Sequence, residues 1–193
     1  MDDTNVRVNS AKAWFLAARP KTLTGAAVPV MIGIACAVAL HGAEVRWVPA
    51  VLCMLFALIM QIDANFVNDY FDFMKGTDDE QRLGPKRACS QGWITAPAMR
   101  SALLLTTAVA CVVGLPLILY GGWEMILVGL ACVVFCFLYT ISLSYMGLGD
   151  VLVLVFFGLV PVSMTYWLVA PASPLLSIPL TVIGLSLACG LVI

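Results

Sequence analysis

Six apolar runs, at about 22–41, 48–70, 98–119, 123–142, 150–170 and 175–193, alternate with short polar breaks along this chain. Each run is close to the ~20 residues that a helix needs to cross the hydrocarbon core of a bilayer. The pattern therefore predicts six membrane-spanning helices. Ahead of them, residues 10–18 mix Trp14, Phe15 and Leu16 with Lys12, and Arg19 follows. That mixture suits a short helix lying in the membrane interface. Arg19-Pro20 then marks the turn into the first span.

Composition agrees with this reading. Hydrophobic residues make up 62% of the 193 positions and charged residues 11%, and the mean hydropathy is +1.02. A water-soluble domain of this size has no use for so much apolar surface, so the class is an integral membrane protein with an all-α, polytopic helical bundle. The net charge of −1 discriminates little, but its distribution does. Four cations precede the first span, five lie between Lys75 and Arg100, and Arg46 alone sits elsewhere. By the positive-inside rule the N-terminus and the 75–100 connection face the cytoplasm. The seven cysteines form no metal-ligand pattern and no secreted disulfide framework, and six of them fall in apolar segments as small hydrophobes. The 18 or more mixed residues before the first span argue for a retained span over a cleaved signal peptide. The sequence stops at Ile193 within an apolar run, which reads as a domain over 1–193 that is incomplete at its C-terminus.

Chemistry enters where the second run ends. Gln61, Asn65, Asn68 and Asp72 are spaced four, three and four, which stacks them on one face of a helix, and Asp69 borders that face. Gln61 and Asn65 taken alone suit a polar seam between helices equally well. The acids change the balance, because carboxylates near a bilayer need a compensating partner. Hard divalent cations favour carboxylate and amide oxygens. Asp78 and Asp79 follow within a turn or two, and Arg82, Lys86 and Arg87 offer cations for phosphate oxygens. The combination points to chemistry on a lipid diphosphate. Asp63 lies on the opposite side of the same helix and is expected to be buried, protonated or hydrogen-bonded, against another span.

The residues also carry a resemblance. Asn68-Asp69-Tyr70-Phe71-Asp72 resembles the first aspartate-rich motif of the UbiA superfamily of intramembrane prenyltransferases. Lys75-Gly76-Thr77-Asp78-Asp79-Glu80-Gln81-Arg82-Leu83-Gly84-Pro85-Lys86-Arg87 is similar to a narrower group, the 1,4-dihydroxy-2-naphthoate polyprenyltransferases of menaquinone synthesis. Ala18-Arg19-Pro20-Lys21-Thr22, Tyr139-Thr140, Gly147-Leu148-Gly149-Asp150 and Phe156-Phe157-Gly158 extend the match over nearly the whole chain. One departure stands out: Gly76 occupies the position of the superfamily's next acid, and Asp78 or Asp79 is left to take its place.

The resemblance implies nine spans, of which six are in this sequence, around a cavity open to the cytoplasm of a bacterial inner membrane. It implies Mg2+ on Asn68, Asp69 and Asp72, with Asp78 or Asp79, and a second aspartate motif beyond Ile193. Arg19, Lys21, Arg82, Lys86 and Arg87 would bind the diphosphate of a polyprenyl donor, and Asn65 and Tyr139 would contact prenyl group or acceptor. Asp69 and Asp72 would act in catalysis. Asp150 would orient the acceptor or act as a base, or else simply cap its helix. The expected partners are polyprenyl diphosphate, 1,4-dihydroxy-2-naphthoate and membrane lipid, with no nucleic acid. Competing readings are another acceptor (4-hydroxybenzoate, homogentisate or haem) and a non-enzymatic cation-binding transporter. Transporter sites sit near the bilayer midplane on broken helices, whereas these acids sit at a helix end.

Overall fold

The computed structural model describes residues 6–76, 86–141, 147, 149–171 and 177–192. Among these residues the secondary structure is helical, without strands. Helix α1 (Ala11–Ala18) begins at Ser10, whose hydroxyl accepts from the Ala13 amide at 3.3 Å. It ends at Arg19, which turns the chain with φ of +50°. Then come α2 (Leu23–His41) and α3 (Trp47–Lys75). Helix α4 (Ala96–Gly114) runs through a 3-10 turn at Leu115–Leu117 into the short α5 (Ile118–Gly121). Helix α6 (Glu124–Ile141) follows, then α7 (Gly149–Val153), α8 (Val160–Val169) and α9 (Leu180–Val192).

Four helical stretches are long and apolar enough to cross a membrane: Ala11–Glu44, Trp47–Lys75, Ala96–Gly121 and Gly149–Val169. Glu124–Thr140 and Leu180–Val192 are apolar but shorter. Large apolar side chains such as Leu105, Val112, Leu119 and Leu191 are mostly exposed, as lipid-facing residues should be. The fold is thus an all-helical membrane bundle.

Two departures from a plain reading of the pattern have local causes. Helix α3 runs to Lys75, past the apolar limit near residue 70. It stops where Gly76 adopts φ of +65° and its amide bonds back to the Phe73 carbonyl at 3.1 Å. That left-handed position favours glycine. The fifth apolar segment is not a uniform α-helix, because Leu154–Leu159 winds as a π turn between α7 and α8. Gly158 in this turn lies so close to α9 that a Cβ there would meet the Ser186 carbonyl at 2.5 Å. Likewise a Cβ on Gly33 of α2 would meet the Val162 carbonyl of α8 at 2.6 Å.

Two buried clusters hold the bundle. One, built from Ala13, Ala17, Phe66, Val67, Ile94, Met99 and Leu103, packs α1 and the 88–95 turn onto the C-terminal half of α3 and the start of α4. The other joins α2, α3 and α8 at the far end through Val30, Ala37, Cys53, Val162 and Tyr166. Between α2, α3, α4, α6 and the α7–α8 stretch lies a cavity of about 570 Å³. Its wall is mostly apolar, including Met60, Phe135 and Phe156. Asn68, Tyr139 and Thr140 line it at the end where α3 and α6 terminate, and Leu117, Met125 and Leu168 line it at the other.

Candidate functional site

The last two turns of α3 organise the polar end of the cavity. Asp69 is completely buried, and its two carboxylate oxygens accept from the backbone amides of Ala88 at 2.7 Å and Cys89 at 2.9 Å. It thereby ties the returning chain to α3. The turn it holds is closed by Trp93 N–H donating to the Ala88 carbonyl at 2.8 Å, and by Gly92 at φ +68°. Asp72, one turn on, forms an ion pair with Arg87 at 2.6 Å, both side chains being largely buried. Asp69 therefore places Arg87 beside Asp72 by fixing the adjoining residues 88 and 89.

Asn68 faces α6, where the Thr140 hydroxyl donates to its Oδ1. Lys75 Nζ donates to the Thr140 carbonyl at 3.0 Å, so α3 holds the end of α6 at two points. On the other flank Asn65 Nδ2 donates to the Ala18 carbonyl and to Thr22 Oγ1, both at 2.9 Å. Asn65 is thus a seam residue between α3 and the α1–α2 corner, one of the two readings its spacing allowed. Gln61 extends the seam, its Nε2 lying 3.4 Å from Thr22 Oγ1. Asp63 is completely buried and accepts from the hydroxyls of Thr106 and Thr107 on α4, as its position opposite the stripe predicts.

The remaining candidates divide. Arg19 is half-buried at the α1–α2 corner beside the Ala18 carbonyl that Asn65 holds. Lys21 and Lys86 are exposed at the same end. Tyr139 lines the cavity and packs near Gly149. Asp150 lies exposed in the first turn of α7. Asp78, Asp79 and Arg82 lie outside the described residues.

Oxygen donors suited to a hard cation are present on adjacent turns in Asn68 and Asp72, and the buried Arg87 marks the place as one that holds opposite charge. Asp69 fits a ligand role less well, since both of its oxygens are engaged by amides in a fully buried setting. Among the described residues no group of three or more His, Cys, Asp or Glu side chains is gathered as a metal cluster. Sequence spacing missed Thr140 and the Ala88 and Cys89 amides as partners, because they reach α3 from distant stretches. Thr140 was marked only as part of the Tyr139-Thr140 stretch of the resemblance, with no partner attached to it.

The class is a membrane helical bundle whose apolar cavity ends at Asn68, Tyr139 and Thr140, on the helix end that also carries the Asp72–Arg87 pair. Comparison gives the family. The UbiA prenyltransferase family model matches residues 26–193, and the chain belongs to that family. It is 36% identical over 166 residues to the 1,4-dihydroxy-2-naphthoate octaprenyltransferase of Haemophilus influenzae, covering 81% of this chain and 54% of that protein. The Escherichia coli protein of the same name is 33% identical over 192 residues, 94% of this chain and 62% of its own length. That of Mycobacterium leprae is 39% identical over 152 residues, 77% and 51% respectively. The chain thus spans between about half and 62% of the length of these relatives. No solved structure matches it significantly.

Proposed function

We propose that the protein to which this chain belongs transfers a polyprenyl group from polyprenyl diphosphate to 1,4-dihydroxy-2-naphthoate. Diphosphate and carbon dioxide leave, and demethylmenaquinone forms. The observation that carries this reading is the cavity of about 570 Å³ whose apolar length meets Asn68, Tyr139 and Thr140 at the end where Asp72 and Arg87 pair. The names of the relatives support naphthoate over 4-hydroxybenzoate, homogentisate or haem as the acceptor.

In this reading Arg87, with Arg19, Lys21, Arg82 and Lys86, neutralises the diphosphate at the cytoplasmic face of a bacterial membrane. Arginine suits this task because its planar fork grips two phosphate oxygens at once. Asn68 and Asp72, with Asp78 or Asp79, would hold magnesium, which when bound stabilises the charge that gathers on the departing diphosphate. Asp69 serves by holding the 88–89 turn, so that Arg87 stays beside Asp72. The chamber wall excludes water from the allylic cation that forms as the C–O bond breaks. Tyr139 contacts the acceptor ring, and Asp150 orients it or receives its proton.

The test is product analysis. Membranes containing the full-length protein are given magnesium, polyprenyl diphosphate and naphthoate labelled in its carboxyl group. Labelled carbon dioxide together with a prenylated naphthoquinol is the expected result. Prenylation of 4-hydroxybenzoate or homogentisate alone, with the naphthoate untouched, would contradict the assignment.

A further inference from the structure

We infer that Thr140 is a positioning residue: its hydroxyl fixes which end of the Asn68 amide meets phosphate oxygen and which meets cation. The inference rests on the reading of that end of the cavity as a magnesium diphosphate site, and says what keeps Asn68 usable there.

Thr140 is buried in the last turn of α6 and lines the cavity beside Tyr139. A hydroxyl inside a helix commonly turns back to a carbonyl one turn earlier. Thr106 does so towards Ala102 and Leu103, and Ser186 towards Val182. Thr140 instead donates across the helix interface, to Asn68 Oδ1 on α3. A hydroxyl has one proton to give, so this contact takes the whole donor capacity of Thr140. Lys75 Nζ meanwhile donates to the Thr140 carbonyl at 3.0 Å, which sets the height of α6 against α3. The hydroxyl is thus held opposite the Asn68 side chain by a separate backbone contact. Asn68 itself is half-buried and lines the same end of the cavity.

An amide has two ends of nearly equal size and opposite polarity. The Asn68 oxygen carries two lone pairs; Thr140 takes one and leaves one for a hard cation. The NH2 group brings two donors, which suit phosphate oxygens. Shape alone does not tell these ends apart, so an untethered Asn68 can turn over. The reversed amide would aim N–H groups at the cation and an oxygen lone pair at phosphate, and both contacts are repulsive. Donation from Thr140 selects the productive orientation. Partners of this kind behind a metal-binding side chain commonly matter 10- to 100-fold for affinity, although they touch neither metal nor substrate.

The test measures two dissociation constants by calorimetry on the full-length protein, without prenyl donor. One is that of inorganic pyrophosphate in excess magnesium, the other that of 1,4-dihydroxy-2-naphthoate. Thr140→Val keeps the shape of the side chain and removes the hydroxyl. Pyrophosphate is expected to bind this variant roughly 10-fold more weakly than wild type. Naphthoate should stay within about twofold, because Tyr139 has not moved. Thr140→Ser, which keeps the hydroxyl, should restore pyrophosphate to within about threefold of wild type. A merely structural role gives another pattern: displacing the end of α6 carries Tyr139 with it, and both ligands weaken together. An unfolded fraction lowers the stoichiometry and leaves the constants intact. Thr140→Ala also lacks the hydroxyl and serves if the valine variant does not fold. Unchanged pyrophosphate affinity without the hydroxyl overturns the inference, as do parallel weakening of both ligands and failure of serine to restore binding. Failure of the function reading looks different: wild type itself binds no magnesium pyrophosphate, and the inference falls with it.

Discussion

Asp69 and Asp72 stand three residues apart, yet their surroundings assign them different work. Asp69 binds two amides in a fully buried setting, so Asp69→Ala would orphan both, at a cost of roughly 2–5 kcal/mol. We expect that variant to melt well below wild type in detergent, measured by thermal unfolding. An unchanged melting temperature with lost activity would instead place Asp69 directly on the substrate or its metal. Arg46 offers the opposite case. Its guanidinium lies over the Tyr120 ring at 5.7 Å and near the Trp167 carbonyl at 3.4 Å, at the other end of the bundle from the Asp72–Arg87 pair. Arg46→Ala is therefore expected to leave transfer within about twofold of wild type while lowering stability slightly, by roughly 1 kcal/mol. A large drop in kcat would contradict the placement of the site. At this scale the sequence was informative about which residues share a helix face, because spacing of three and four determines that directly. It was silent about partners: nothing local to Asp69 announces the Ala88 and Cys89 amides, nor does Asn68 announce Thr140.

Among the elements, close helix contacts are set by glycines whose missing side chains matter. Gly33 lies against the α8 backbone, whereas Gly184 on α9 has nothing within 4 Å of where a Cβ would stand. Gly33→Ala should separate α2 from α8 and destabilise by roughly 1–3 kcal/mol. Gly184→Ala should be neutral or gain up to ~1 kcal/mol from helix propensity. Thermal melts of the two variants read the contrast, and equal melts would show that α2 and α8 are not in the contact described. The apolar runs made the helices themselves legible, because burial in lipid leaves the backbone no alternative to helix. The π turn at Leu154–Leu159 was not legible, since it depends on how Gly158 seats against α9 and not on the apolar character of residues 150–170. The run of α3 to Lys75 was also hidden from hydropathy. Its last turns carry Asp69, Asp72 and Lys75 among aromatic residues and are held by contacts to α6 and the 88–89 turn.

For the molecule as a whole, the polar residues that matter gather where α3 and α6 end and α4 begins, with α1 packed alongside. The other end holds His41, whose ring meets the Tyr166 hydroxyl at 3.0 Å, and Arg46. Positive charge is concentrated at the first of these ends, which is the basis for placing it in the cytoplasm. Single cysteines replacing exposed Lys86 and exposed Ala43 test that orientation. A membrane-impermeant maleimide should label the Lys86→Cys variant only in inside-out vesicles and the Ala43→Cys variant only from the outside. The reverse pattern would put the site on the wrong face for the proposed reaction.

If the end of α3 handles the diphosphate, Asp72→Asn is the variant that exposes it. Asparagine keeps the size of the side chain and an oxygen for Arg87 while removing the negative charge. Diphosphate release by the full-length protein, in proteoliposomes with magnesium, polyprenyl diphosphate and 1,4-dihydroxy-2-naphthoate, is the measurement. A fall of roughly 100-fold or more is expected, the scale of losing one group that stabilises developing charge, with the protein still inserted and folded but melting lower because Arg87 loses its buried counter-charge. Release within about threefold of wild type would contradict a diphosphate role for the end of α3, because a loss that small lies within ordinary context effects.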